Sequence, residues 1–181
     1  MEKGEILYFR KNINLVINKN FKGDIMEFIV RKIKSEEYND VMKLVLEVYM
    51  EFEAPIYGEE GVNTFYRDVI NNKEYKKDFE KGNNMIFGAF YENHIIGVVG
   101  TRGKSHISLV FTKKEHHRKG VASKIIKVVM NEIESNNPEV KEITLNSSPY
   151  GLSFYHSIGF IDTDVEKITD GIIYTPMKYV L

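Results

Sequence analysis

Residues 109–126 read LVFTKKEHHRKGVASKII and are the most informative segment of the chain. Its first residues are typical of a buried strand, and its last residues repeat apolar side chains at helical spacing. Gly120 stands between the two, where backbone N–H groups and the positive end of the helix dipole can bind an anion. Arg118 and Lys119 add full positive charges. By itself a single Gly before a helix is a weak signal, compatible with an ordinary tight turn or with a phosphate-binding turn, and the stretch is neither a P-loop nor a dinucleotide fingerprint.

The segments around this stretch alternate between strands and helices. From Met26 onward the predicted order is β, α, α, β, β, β, α, β, α, β, β. The first predicted helix ends near Pro55 and Gly58, and the helix after Gly120 ends before Pro138. This order predicts a mixed α/β fold with a central sheet of about seven strands and helices on its faces.

The composition of the chain limits the classes of protein to which it can belong. The chain has 181 residues, of which 43% are hydrophobic, so we expect one domain with a substantial core. The formal net charge is -1, so no overall field recruits nucleic acid or an anionic membrane. The absence of cysteine excludes disulfides, thiolate metal sites and a cysteine nucleophile. No apolar run approaches the roughly 20 residues of a membrane span, and no signal peptide is recognisable, so we expect a cytoplasmic protein without membrane or nucleic-acid partners.

Residues 1–25 differ from the rest, because they mix Lys, Asn and scattered apolar residues without a clear period. We predict an N-terminal extension over 1–25, followed by the functional domain over 26–181. Met26 would then be the natural start, since Lys22-Gly23-Asp24 can be encoded by a purine-rich stretch like a bacterial ribosome-binding site. A genuine N-terminal strand or arm is the alternative.

Two motifs occur in a linked order. Residues 117–122 read HRKGVA, and residues 154–160 read FYHSIGF. In both, the chain resembles the GNAT acyltransferases, whose pyrophosphate loop is Gln/Arg-x-x-Gly-x-Gly/Ala and whose later helix is aromatic-Tyr-x-x-x-Gly-Phe. His117 departs from the pattern, because it stands for Gln or Arg. The resemblance implies a GNAT domain over 26–181, built on a mixed, mostly antiparallel sheet with helices on both faces.

The resemblance also implies an activity, the transfer of an acetyl group from acetyl-CoA to a primary amine by direct attack in a ternary complex. Tyr155 is implied as the acid that protonates the departing thiolate, and a tyrosine that merely packs on the core is the alternative. In the family the fourth and fifth strands splay apart, which leaves backbone groups for the pantetheine arm. The implied cofactor-binding residues are Val110, Phe111, Thr112, His117, Arg118, Lys119, Gly120, Val121, Ala122, Ser123, Asn146 and Tyr155.

The sequence leaves the general base and the acceptor open. Candidates for the base are His106, Ser108, Glu51, Glu53 and water. Glu51 and Glu53 near Tyr57 suggest a site for a cationic amine, with solvated loop charges as the alternative. The acceptor is expected to be a small-molecule amine or a peptide amine.

Three further interpretations follow from the same residues. The chain could be a non-catalytic acyl-CoA sensor or interaction module that keeps the fold without turnover. His116 and His117 are adjacent and lack carboxylate or cysteine companions, so we expect no metal site. A homodimer through the terminal strands is compatible with the sequence.

Overall fold

The structure is a computed structural model that describes the backbone of residues 6–10, 13–19 and 25–181, and the side chains from Met26 onward. Its strands are β1 (Ile6–Arg10), β2 (Ile13–Lys19), β3 (Ile25–Lys32), β4 (Ile86–Tyr91), β5 (His94–Arg102), β6 (His106–Thr112), β7 (Glu142–Ser147), β8 (Ile161–Asp162), β9 (Lys167–Thr169) and β10 (Ile172–Val180). They lie in the order β1-β2-β3-β4-β5-β6-β7-β10-β8, and β9 pairs with β10 beside this path.

The sheet is mostly antiparallel, as the resemblance implies. Among the described strands only β6 and β7 run parallel, because the chain crosses between them through a helix. Their pairing is short: His106 lies opposite Thr144, and Ile107 lies opposite Leu145. The prediction of a mixed sheet is confirmed.

Five α-helices within the described residues cover the sheet: α1 (Tyr38–Phe52), α2 (Ala54–Phe65), α3 (Lys73–Glu80), α4 (Val121–Asn136) and α5 (Leu152–Ser157). The buried residues of α1, such as Val41 and Val45, recur at helical spacing. Pro55 lies in the first turn of α2, and Gly58 bends that helix with a φ of 66°. A π-helical turn, Tyr66–Ile70, follows α2. None of the helices that the structure describes is both long and apolar enough to cross a membrane.

Each face of the sheet has its own core. On one face α4 and α5 pack through residues such as Ile125 and Tyr155. On the other face α1, α2 and α3 pack around residues such as Tyr49. Successive side chains of β5 point to opposite faces of the sheet, so Val99 lies in the first core and Val98 in the second. The prediction of helices on both faces is therefore confirmed.

The observed order differs from the predicted one in two places. β8 and β9 are separate short strands, so eight strands rather than about seven are present from residue 25 onward. The sequence pattern does not predict α3, because KEYKKDFE is highly polar and only Tyr75 and Phe79, one turn apart, are buried. β1 pairs with β2, and β2 pairs with β3, so both strands continue the sheet beyond β3. That residues 1–25 form an extension separate from the domain stays a prediction.

Candidate functional site

β6 and β7 separate soon after they pair. Their parallel register ends at Ile107 and Leu145, although β6 continues to Thr112 and β7 to Ser147. On its other edge β6 stays paired with β5 as far as Thr112. The second half of β6 therefore has one edge facing a gap in the sheet, which is the splay that the resemblance implies.

Backbone groups of β6 point into this gap. The Lys113 N–H donates to the Ile96 carbonyl of β5 at 2.9 Å. Because successive residues of a strand alternate, Val110 and Thr112 turn their N–H and C=O groups away from β5 and toward the gap. The Thr112 carbonyl accepts a hydrogen bond from His117 Nε2 at 2.7 Å. Buried backbone groups need partners, so this edge is suited to an extended polar ligand.

A cavity of about 530 Å³ lies over the gap and the turn before α4, and we call it the loop cavity. Gly120 has a φ of 75°, in the left-handed region that favours glycine, and α4 begins at the next residue. The first amides of a helix lack partners within the helix, and its dipole is positive at this end, so these N–H groups are chemically suited to an anion. The residues of the turn and the helix start that line it are His116, His117, Arg118, Gly120, Val121, Ala122 and Ser123.

Three of the aromatic side chains that line the loop cavity form a cluster. The Phe52 ring lies 4.8 Å from the His117 ring and 5.1 Å from the Tyr150 ring, centroid to centroid. The Tyr150 hydroxyl lies 3.4 Å from His117 Nδ1. His117 Nε2 donates to Thr112, so in the neutral ring Nδ1 accepts from Tyr150. This cluster connects the end of α1, the turn before α4 and the loop after β7.

A second cavity, of about 500 Å³, lies beneath the hairpin formed by β9 and β10, and we call it the hairpin cavity. Its walls come from α1, α2, β6, β7 and the hairpin. Its charged, imidazole and amide side chains are Glu53, Asp68, Arg102, His106, Asn146 and Asp170. Its tyrosines are Tyr49, Tyr57, Tyr155 and Tyr174.

The two cavities meet at a junction, because Glu53, Val110, Phe111, Ser148 and Tyr155 line both. Burial raises the pKa of Glu53 to about 7, and a 3.4 Å hydrogen bond from the Tyr57 hydroxyl opposes this only in part. Burial, and then the charge of Glu53, raises the pKa of the Tyr155 hydroxyl. Near neutral pH the junction thus holds a carboxyl group that can exchange a proton and a phenol that keeps its own.

The sequence profile described as the acetyltransferase (GNAT) domain matches residues 53–181, which include the whole junction. The chain belongs to the GNAT acetyltransferase family. A search of curated proteins finds no match to this GNAT chain.

Solved structures share the GNAT fold with this chain. The PaiA N-acetyltransferase from Thermoplasma acidophilum, in complex with coenzyme A, has a TM-score of 0.71 at 19% identity, over 86% of this chain and 100% of that one. A GCN5-related N-acetyltransferase from Rhodopseudomonas palustris has a TM-score of 0.70 at 15% identity, over 84% and 94%. A chimera of the spermidine N-acetyltransferase SpeG from Vibrio cholerae and hSSAT has a TM-score of 0.57 at 14% identity, over 84% and 95%. At these identities the likeness shows the fold alone.

The GNAT chain brings most of the predicted cofactor residues together, since ten of the twelve line the loop cavity. Lys119 is exposed and is not among the residues lining that cavity. Asn146 lies on β7 opposite Pro176 and lines the hairpin cavity instead. Tyr155, the predicted acid, lies at the junction.

The predicted acceptor and base residues separate into two groups. Glu53 lies at the junction, and Tyr57, His106 and Ser108 line the hairpin cavity. The His106 Nδ1 lies 2.9 Å from the Thr144 hydroxyl, and burial, followed by the charge of Arg102, lowers the pKa of His106. Glu51 lies outside both cavities, where its carboxylate pairs with Lys114.

The structure also adds residues that the motifs do not indicate. Ser148 lines both cavities, and Phe52 and Tyr150 line the loop cavity. Ser148 and Tyr150 follow the carboxyl end of β7. That position could have identified them as site residues, because ligands bind where neighbouring strands of an α/β sheet diverge. Among the described residues, no group of three or more His, Cys, Asp or Glu side chains could hold a metal ion.

Proposed function

We propose that this GNAT acetyltransferase moves an acetyl group from acetyl-CoA to a primary amine by direct attack in a ternary complex. One observation carries the proposal. The loop cavity, which suits an anionic and extended ligand, meets the hairpin cavity at a junction that holds both Glu53 and Tyr155. Two substrates bound in the two cavities would therefore meet beside a proton acceptor and a proton donor.

The loop cavity fits coenzyme A by the chemistry of its groups. The first amides of α4 and the Arg118 guanidinium suit the pyrophosphate, because they combine N–H donors with positive charge. The Val110 N–H and C=O groups and the Thr112 N–H, which face the gap, suit the amides of a pantetheine arm, since the Thr112 carbonyl already accepts from His117. Bound acetyl-CoA would supply the activated acetyl thioester. The Val110 N–H would then polarise the thioester carbonyl by hydrogen bonding.

Glu53 is the best-supported general base. Among the described residues that line both cavities it is the one carboxyl, and its pKa of about 7 puts its proton exchange at neutral pH. His106 lines the hairpin cavity alone, and Glu51 lines neither. Glu53 would take a proton from the incoming ammonium, so activity should rise as pH increases through about 7.

Tyr155 is the proposed acid for the departing thiolate. Its raised pKa keeps the hydroxyl protonated at neutral pH, as a donor must be. Because it lines both cavities, it would lie beside both substrates if they bind as proposed. The resemblance to GNAT enzymes assigns it the same role.

Calorimetric titration with acetyl-CoA tests the first half of the proposal, and release of free thiol from the same sample tests the second. The amine panel should include polyamines, amino acids, aminoglycosides and peptides. Binding together with amine-dependent thiol release is the expected result. Binding without release for any amine would favour a non-catalytic acyl-CoA sensor, and absence of binding would overturn the assignment of the loop cavity.

A further inference from the structure

His117 stands where the GNAT pyrophosphate loop has glutamine or arginine, but both of its ring nitrogens are bonded to the protein. Nε2 lies 2.7 Å from the Thr112 carbonyl oxygen, and because a carbonyl can only accept, Nε2 carries the proton. In the neutral form of the ring, Nδ1 then accepts from the Tyr150 hydroxyl at 3.4 Å. The neutral His117 side chain therefore has no N–H group left to donate to a phosphate.

The His117 ring also packs against the end of α1. Its centroid lies 4.8 Å from that of Phe52, and the Phe52 ring lies 5.1 Å from that of Tyr150. Phe52 is the last residue of α1 and directly precedes Glu53. We call the contacts among Phe52, Thr112, His117 and Tyr150 the His117 bridge. All four residues line the loop cavity, so the bridge belongs to its wall.

The bridge connects two elements that the sheet itself leaves apart. β6 continues to Thr112 and β7 to Ser147, but their pairing ends at Ile107 and Leu145. The His117 ring donates to the end of β6 on one side and accepts from Tyr150, in the loop after β7, on the other. Through its two hydrogen bonds the ring therefore links the end of β6 to the loop after β7, beyond the point where the strands stop pairing.

The groups suited to an anion do not depend on this bridge. Arg118 is the one arginine or lysine among the described residues that line the loop cavity. The first amides of α4 follow Gly120, at the positive end of the helix dipole. Charge and N–H donors for a pyrophosphate are therefore present without the His117 side chain.

Resting on the proposed function, we infer that His117 is a positioning residue for the pantetheine arm of coenzyme A and not a ligand of its pyrophosphate. The bridge holds the end of β6 and the loop after β7 at a fixed separation before the arm enters the gap. A slot that is ordered in advance lowers the entropic cost of binding. Loss of the His117 hydrogen bonds should thus weaken ligands that carry the arm and spare those that carry only the pyrophosphate.

Calorimetry with two probes tests this separation. Coenzyme A carries both groups, whereas ADP carries a pyrophosphate and no pantetheine arm. His117→Phe keeps a ring against Phe52 and removes both hydrogen bonds. Its affinity for coenzyme A should fall about tenfold, the effect of one or two hydrogen bonds, and its affinity for ADP should stay within about twofold of wild type.

Two further variants calibrate the result. Arg118→Ala should weaken both probes by a similar factor, because both carry the pyrophosphate. His94→Ala replaces an exposed histidine outside both cavities and should change neither affinity. Equal weakening of coenzyme A and ADP in His117→Phe would reveal a phosphate contact and overturn the inference. Unchanged affinity for coenzyme A would overturn it as well.

Tyr150 gives an independent arm, because its side chain is 51% exposed and Tyr150→Phe should fold as the wild type does. This change removes only the 3.4 Å hydrogen bond, so coenzyme A affinity should fall about threefold with ADP affinity unchanged. In the His117→Phe background it should have no further effect, since the partner of the hydroxyl is already absent. Additive losses in the double variant would refute the bridge. A wild-type chain that binds neither probe would overturn the proposed function, and the inference with it.

Discussion

Replacing Glu53 by glutamine should make the protein more stable at alkaline pH while it removes activity. Burial holds the folded-state pKa of Glu53 at about 7, whereas the ordinary value is 4.5. A carboxyl whose pKa is raised on folding binds more protons in the folded state, so wild-type stability falls as pH rises from about 4.5 to about 7 and is then constant. The difference of about 2.5 pKa units corresponds to about 3 kcal/mol. Glutamine has a similar shape and no charge to lose.

Urea unfolding at pH 5 and pH 8 measures this difference. Between these two values the wild type should lose about 2 to 3 kcal/mol more stability than Glu53→Gln, because most of the titration of Glu53 falls in this interval. Glu51→Gln is the matched control, since Glu51 lies two residues away, outside both cavities and in an exposed ion pair. Its stability should stay within about 0.5 kcal/mol of the wild type at both pH values.

The same two variants separate the candidates for the base. Glu53→Gln should lower turnover by about 100-fold or more, the usual contribution of a positioned general base, with acetyl-CoA affinity retained. Glu51→Gln should keep wild-type turnover. Equal pH dependence of unfolding in wild type and Glu53→Gln would refute the raised pKa, and full turnover in Glu53→Gln would remove this residue from the mechanism.

Two further predictions concern the loop cavity and the acid. Gly120→Asp should abolish acetyl-CoA binding in calorimetry while the protein stays folded, because a carboxylate would face the pyrophosphate. Gly120→Asn, with the same backbone demand and no charge, should bind more tightly than Gly120→Asp; equal affinities would argue against an anion site at this turn. Tyr155→Phe should lower turnover far more than acetyl-CoA affinity, since only the hydroxyl is lost; steady-state kinetics and calorimetry check this, and unchanged turnover would exclude Tyr155 as the acid.

Much of the fold was predictable because its signals are local. The strand, turn and helix around Gly120 are encoded within 18 consecutive residues, and the turn needs a left-handed residue at the position where glycine stands. The apolar face of α1 was equally readable from helical spacing. In contrast, α3 was not predictable from local spacing, because only two aromatic residues of this polar segment are buried. The helix is stabilised by packing of these residues in the core that also contains α1.

The candidate site shows the same division. The motif around Gly120 and the position of Tyr155 were predictable from two short patterns, because each pattern lies within one turn or helix. The choice of Glu53 over Glu51 was not, because both precede Pro55 in the same acidic stretch and only packing places one of them at the junction. Ser148 likewise has no motif of its own, and it matters only because β7 ends beside the gap.

Local sequence patterns predict most of the helices and strands from residue 26 onward, the glycine turn before α4 and the resemblance to GNAT acyltransferases. These features depend on residues a few positions apart, so backbone preference and side-chain period suffice to predict them. Only the folded chain shows how far β6 and β7 diverge and that Glu53, rather than Glu51, lies at the junction. Both depend on groups that are distant in the chain, since Glu53 and Tyr155, which meet at the junction, are 102 residues apart.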